Sequence, residues 1–415
     1  ASQVFPFSSW NSEDPEQLWA WMESYEQRTG GRALAIPHNG NLSNGRMFAA
    51  QRFDGTPLTR DYAERRQRWE PIQEIVQSKG ASESHPKLSP NDEFLDFGIA
   101  GWELGNLTLS GSPLTREMMP TSFVRAGFMR GLEQEAKLGV NPFKSGIIGS
   151  FDAHNSLPFV DEDNFFGKFP GQEPSPDRWQ QKSSLGEGEG EARITWQYLA
   201  AGYAAVWATD NTREAVFDAM QRRETYGTSG TRMTVRFFGG YDFTPDDAQS
   251  RYLAEAGYAK GVPMGGDLEP AAAGRVPTFL VAALKDPQGA NLDRIQVVKG
   301  WLDASGKAQE KVYDIVWAGS RKPDKDGKLP PVGDTVDVAR ATVTNTIGAA
   351  ELAAVWKDPD FQPAQRAFYY ARVIEIPTPR WTAYDQVRFG VKMSDDVPMK
   401  QQERAWTSPI WYSPI

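Results

Sequence analysis

No cysteine occurs anywhere in the 415 residues. That excludes disulfides, thiolate metal sites and cysteine nucleophiles together. A complete lack of thiols suits an oxidising compartment such as the periplasm, with the cytoplasm as the alternative address. Histidine is almost as scarce: His38, His85 and His154 are the three copies. Long apolar runs are missing too. The most apolar stretch, 198–208 (YLAAGYAAVWA), falls well short of the ~20 residues that a membrane span needs. No secretory leader is visible, yet the chain opens with Ala1 rather than Met, which predicts a processed or truncated product. Nor is there a basic block. Lys and Arg total 45 against 54 Asp and Glu, a net charge of −9, so nucleic acid and anionic membrane surfaces are not expected partners.

What is present describes a globular protein. Charged residues make up 24% and hydrophobic ones 40%, and the length predicts two or three domains. A first helix is expected after Asp14, with Pro15 at its first position and Gly30-Gly31 at its end; Leu18, Trp21, Met22 and Tyr25 recur at helical spacing. Further helices are expected over 121–138, closed by Gly139, and from Asn211 to about Arg223. Between them lie short, wholly apolar runs at 33–36 (ALAI) and 146–148 (GII), and a strand-like run within 71–80 (PIQEIVQSKG). Helices alternating with such runs predict a helix-covered parallel sheet or barrel over 1–230. Residues 155–192 read as a long lid-like loop with a low-complexity tip, 186–191 (GEGEGE).

After Gly230 the texture changes. Runs at 231–238, 278–284, 295–302, 311–317 and 367–376 are β-branched or aromatic, and DASGK at 303–307 is a hairpin signal. Residues 231–415 therefore read as a mostly antiparallel β domain of sandwich type, with 263–277 as a loop inside it. GTSG at 227–230 reads as a hinge or turn at the junction, with an anion-binding nest as the alternative. The 14 tryptophans are expected mainly in cores, with carbohydrate stacking as the competing use.

Phosphate-binding loops, dinucleotide fingerprints, zinc-protease helices and serine-hydrolase elbows are all absent from the sequence. What remains is a constellation around the histidines. His38 follows the run 33–36, Glu74 lies in the run after Pro71 with His85 in the polar loop beyond, and Asp152 and His154 end GIIGSFDAH. Residues two apart in an extended segment face the same side, so Asp152 and His154 can serve one metal. Carboxylates and neutral imidazoles arriving from separate strand ends are what a divalent transition metal requires. The competing reading makes each histidine a structural hydrogen-bonding residue. The acidic run Asp161, Glu162 and Asp163 reads as a solvated loop.

The stretches IPHNGNLSNG (36–45), WEPIQEIVQSKGASESHPKLSPNDEF (69–94), LGVNPFKSGIIGSFDAHNS (138–156), EDNFFGKFPG (162–171), RRETYGTSGTRMTVRFFGG (222–240) and ERAWTSPIWYSP (403–414) closely resemble the domain-of-unknown-function family 3604. That family is a relative of the polymerase and histidinol phosphatase (PHP) metal-dependent phosphoesterases, and the likeness covers essentially the whole chain. It implies the C-terminal part of a distorted PHP-type (β/α)7 barrel over 1–230, followed by the β-sandwich. It also implies up to three divalent metal ions, zinc, manganese or iron, in the complete site. His38, Glu74, His85, Asp152 and His154 match the family's ligands, with Glu70 the neighbouring candidate for Glu74; His38, Asp152 and His154 would be catalytic. The family's opening His-x-His segment is not in this sequence, so the missing N-terminal portion is an expected partner that packs against residues 30–155. The expected activity is a metal-dependent phosphoesterase acting on a small phosphorylated substrate. A non-catalytic binding module, whose β domain engages a glycan or protein, is the alternative.

Overall fold

The computed structural model describes residues 5–100, 102, 115–157, 160–183, 193–200, 202–272 and 274–414. The helix Pro15–Thr29 forms as its ends dictate: Asp14 accepts the Glu16 N–H at 3.0 Å, and Gly30 closes it at φ 67°. A second helix, Arg60–Trp69, packs beside it and is capped by Thr59. The helix Val124–Leu138 starts three residues later than expected, after a 3-10 turn at Met119–Thr121. Phe123 is extended there and offers no cap, so Val124 N and Arg125 N donate instead to the carbonyls of Ser82 and Glu83, both at 2.9 Å.

These helices cover a small sheet in which Ile72–Gln77 runs parallel to Gly146–Gly149 and antiparallel to Gly80–Ala81. All six residues of the first strand are buried, the signature of a strand covered on both faces. The run 33–36 is not a strand. It is a half-buried extended segment lying along the same strand, with Ala35 N bonded to Trp69 O and Glu74 N to Pro37 O. Among the described residues no closed barrel forms; the expected (β/α)7 portion comes down to this one parallel pair. The outer edge of Gly146–Gly149 was expected to need protein from outside the chain. Instead Ile147 N donates to Ser408 Oγ at 2.8 Å, and Thr225 Oγ1 donates to Ile147 O at 2.9 Å. The Ser408 and Thr225 side chains thus bond both backbone groups of Ile147 on this edge.

An eight-stranded sheet dominates the molecule. Its main path runs Ala308–Trp317, Leu292–Leu302, Ala367–Glu375, Arg404–Thr407, Thr225–Thr228 and Tyr203–Val206, each antiparallel to the next. The DASGK turn closes the first hairpin as expected, with Asp303 N bonded to Lys307 O. Ile410–Tyr412 extends the sheet along Ala367–Glu375 and pairs in turn with Asp267–Leu268. Two of its strands, Tyr203–Val206 and Thr225–Thr228, come from before residue 230. The junction expected at 227–230 is therefore no hinge: Gly227 and Thr228 pair with Trp406 and Ala405 inside the sheet. A composition shift marks where β-rich sequence begins, and sheet membership does not follow it.

A four-stranded sheet, Glu351–Lys357, Thr278–Leu284, Thr234–Gly240 and Gly261–Pro263, packs on one face of the large sheet. Val235, Phe237, Phe279 and Val281 meet Ile295, Val297, Tyr369 and Val373 between the two. Alternation along the strands sends Val298, Phe368 and Tyr370 to the opposite face, where they share a core with Trp19, Ile75, Phe128 and Ile147. The large sheet is thus the middle layer, with helices and the small sheet on one side and a second sheet on the other.

Candidate functional site

The C-terminal ends of the parallel pair bring Glu74 and Asp152 to one place. Register alone does part of this: Glu74 pairs with Ile148, and the chain continues through Ser150 to Asp152. Glu74 is buried; its Oε1 accepts the Asn39 N–H at 3.1 Å, and its Oε2 accepts from Ser150 Oγ and from Gln77 Nε2. Asp152 sits at φ 59°, a left-handed conformation that few non-glycine residues adopt and that often marks functional sites.

Two buried ammonium groups converge on Asp152. Lys168 Nζ lies 2.5 Å from Oδ2 and also bonds the Asp152 carbonyl, while Lys79 Nζ pairs with the same Oδ2. The Lys79 and Lys168 side chains are 5% and 1% exposed, so both charges are taken almost wholly out of water. Burial, then the neighbouring Lys168 charge, pushes the Lys79 ammonium down to about 6; burial takes Lys168 down to about 8, with Glu74 opposing. Lys168 reaches the site from the loop expected to cover it, and the loop is held there by a bond from His154 N to Lys168 O at 2.7 Å. The 186–191 tip of that loop lies outside the described residues.

His154 Nε2 is 2.9 Å from Asp152 Oδ1, and its ring stands edge-on to Phe169 at 5.1 Å. Its side chain is 55% exposed, which puts it at the mouth. Partial burial and the two lysines lower its pKa, so the ring is neutral at pH 7. With Nε2–H donated to the carboxylate, Nδ1 carries the lone pair.

The remaining candidates divide. His38 is exposed on the loop after Pro37, one residue before the Asn39 N–H that binds Glu74. His85 is buried at the start of the helix Val124–Leu138, with Nδ1 accepting the Lys87 N–H at 3.1 Å and its ring 5.6 Å from Phe123. Glu70 is committed elsewhere, to Arg66 at 2.9 Å and Trp19 at 3.0 Å, which leaves Glu74 as the site glutamate. The expected convergence of all five ligands is not found: among the described residues no group of three or more His, Asp or Glu is arranged to hold a metal ion. The oxygens of Asp152 and Glu74 are occupied by Lys79, Lys168, His154, Ser150, Gln77 and Asn39. As placed, these residues do not fit the implied metals.

Neither lysine belongs to the nitrogen and oxygen ligand types that define a metal-site pattern, so the sequence pattern does not single them out. Lys79 and Lys168 both lie within the quoted motifs, in QSKG and FFGKFPG: Lys79 lies just after a buried strand, and Lys168 stands between a glycine and an aromatic in the covering loop. The acidic run at 161–163 is also more than a solvated loop: Glu162 accepts the Trp381 N–H at 2.5 Å and the Gln401 amide at 2.7 Å. Among the described residues no helix is long and apolar enough to cross a membrane.

A family model described as Protein of unknown function (DUF3604) matches residues 1–414. No curated protein and no solved structure matches the chain.

Proposed function

The chain belongs to the DUF3604 family, and from that premise and its site we propose that it is a hydrolase of small phosphorylated substrates, akin to the PHP phosphoesterases its motifs resemble. The observation that carries the reading is the pair of buried lysines, Lys79 and the Lys168 that keeps its charge at pH 7, gathered at Asp152 beside the half-exposed His154. Phosphoester hydrolysis needs fixed positive charge against the phosphoryl oxygens and an acceptor for the proton of the attacking water.

Lys168, at about 8, stays charged at pH 7 and keeps N–H groups for a phosphoryl group after binding Asp152, while Lys79, at about 6, serves there chiefly as a neutral donor. Asp152 orients the His154 ring through Nε2, and Nδ1 takes the proton of the attacking water. Glu74 balances the lysine charges from inside, and Ser150 and Asn39 fix its carboxylate.

Turnover of a panel of phosphomonoesters tests this. Lys168→Ala is expected to lower kcat/KM by ~10²–10³, the usual loss for one electrostatic donor. A folded Lys168→Ala variant with unchanged turnover overturns the proposal. Metal analysis of the purified protein belongs beside it. Stoichiometric zinc, manganese or iron, lost in the Asp152→Ala/His154→Ala double variant, would replace the lysine-based site with the metal-based one that the resemblance implies.

A further inference from the structure

Seven arginines are buried in the described structure, and five are paired with carboxylates: Arg66 with Glu70, Arg125 and Arg372 with Glu83 and Asp92, Arg178 with Asp385, and Arg294 with Asp293. The other two are not. Arg380 is 4% exposed and Arg404 2%, and neither has a carboxylate oxygen within ion-pair distance among the described residues. Their hydrogen bonds go to backbone carbonyls: Arg380 Nη2 to Tyr198 O at 2.7 Å, Arg404 to Phe94 O and Gln402 O. Arg380 Nη1 is buried and has no hydrogen-bond partner among the described residues. A buried guanidinium left without a counter-charge is costly, and proteins normally pair it.

Both unpaired arginines line one cavity of about 360 Å³. Phe97, Trp196, Gln197, Gln401 and Gln402 are among its lining residues. Arg404 stacks over Phe97 at 4.3 Å, which holds its guanidinium plane in place. Lys400 also lines the cavity but is already bound to Asp334, and Asp96 lies exposed at its rim. Glu162 and Glu403 act on Arg380 only from beyond contact distance. Burial lowers both arginines to about 10, with Arg372 adding to the effect at Arg404 and Glu83, Asp96 and Asp92 opposing it there from beyond ion-pair distance.

We infer that this cavity is a binding site for a small organic oxoanion, whose carboxylate, phosphate or sulfate group is received by Arg380 and Arg404 while its apolar body lies against Phe97 and Trp196. The volume suits a small molecule, and apolar walls with a few convergent polar groups are the usual make-up of such sites. The inference does not depend on the hydrolase reading, since none of the lining residues belongs to the Asp152 site.

Titration calorimetry and thermal shift with inorganic phosphate, sulfate and benzoate test it. Saturable binding with a rise in Tm is expected for at least one of the three. The Arg380→Met variant should bind at least ~10-fold more weakly yet keep its fold, because it removes an uncompensated charge. The Lys168→Met variant should bind benzoate as tightly as the unaltered chain and should keep an Arg380-dependent site for phosphate or sulfate. Phosphate or sulfate binding without benzoate would assign a tetrahedral ligand group, and benzoate alone a carboxylate. Absence of saturable binding by all three, unchanged affinity in Arg380→Met, or loss of binding in Lys168→Met overturns the inference. Should Arg380→Met fail to fold, the rim variant Gln402→Ala decides: a several-fold weaker affinity supports the site, and an unchanged one removes it.

Discussion

Glu83 receives five hydrogen bonds from four side chains: Arg125 and Tyr370 at 2.6 Å, Trp406 at 2.7 Å, and Arg372 at 3.0 and 3.1 Å. Asp92 binds the same two arginines at 2.7 Å each. Burial opposes ionisation of Glu83, but Arg372 and Arg125 outweigh it and hold the carboxyl below the usual range. The group is fully internal, so its worth shows when one partner is removed. Glu83→Gln keeps the shape and leaves the two guanidiniums with Asp92 and, at 3.7 Å from Arg125, Glu310; urea unfolding should show a loss of ~3–5 kcal/mol. A loss under ~1 kcal/mol would mean that Asp92 and Glu310 suffice to balance both arginines. This network explains much of what was and was not legible in the sequence. SESHP looked like a ligand-bearing loop because of its histidine. Its neighbour Glu83 ties the loop to the middle sheet, and His85 holds the turn through Lys87 N. Nothing local distinguishes these uses, since Arg125 and Arg372 lie 42 and 289 residues from Glu83 along the chain. Asp152 and His154, by contrast, lie two apart just after a buried strand; they do meet, but through the left-handed backbone at Asp152 rather than the extended one that the spacing suggested.

At the level of elements, two glycines set how closely the small sheet meets the large one. A Cβ on Gly227 would lie 2.5 Å from Gly149 N and 2.7 Å from Ile148 C, all backbone that cannot move aside. Gly227→Ala should therefore destabilise by ~1–3 kcal/mol in denaturant unfolding and disturb the Asp152 exit more than the outer hairpin. Another element, the strand Arg404–Thr407, begins beside Glu403, which is buried against Ser229 Oγ and the Gln401 amide. Burial, then the charge of Glu162, pushes this carboxyl up from 4.5 to about 8. A raised acid favours the folded state fully below its unfolded value and loses that contribution as pH rises through the folded one. Stability should thus fall between about pH 4.5 and 8 from this group, and Glu403→Gln should flatten that part of the profile. Thermal melts across this range check the sign; an unchanged slope would place the titration elsewhere. Helices and long strands were legible because caps and apolar runs are local. The strand Thr278–Leu284 matches its expected span, and the Asp14 cap and Gly30 stop work as read. Tyr203–Val206, Thr225–Thr228 and Trp381–Phe389 were not foreseen. The first two are four-residue strands that pair with each other, and the buried Thr225–Thr228 has its other partner, Arg404–Thr407, far along the chain.

For the whole molecule, the interleaving of the two halves decides what can fold alone. Residues 231–415 leave Arg404–Thr407 without its Thr225–Thr228 neighbour and bare the face that meets Trp19, Ile75 and Phe128. Expressed alone, this fragment should give a poorly dispersed amide spectrum and bind hydrophobic dye, whereas the full chain unfolds in one cooperative step. A well-dispersed fragment spectrum would restore the boundary at residue 230. The position of Arg404–Thr407, between Ala367–Glu375 and Thr225–Thr228, also dictates an order of events during synthesis. Strands made early cannot join the central sheet until residues some 180 positions downstream have left the ribosome, as the pairing of Thr228 with Ala405 requires. Until then Gly146–Gly149 lacks the Ser408 hydroxyl that closes its edge, and the nascent chain presents open backbone to its surroundings. A stall shortly before residue 404 should therefore yield a species that holdase chaperones retain, and release beyond residue 412 should free it.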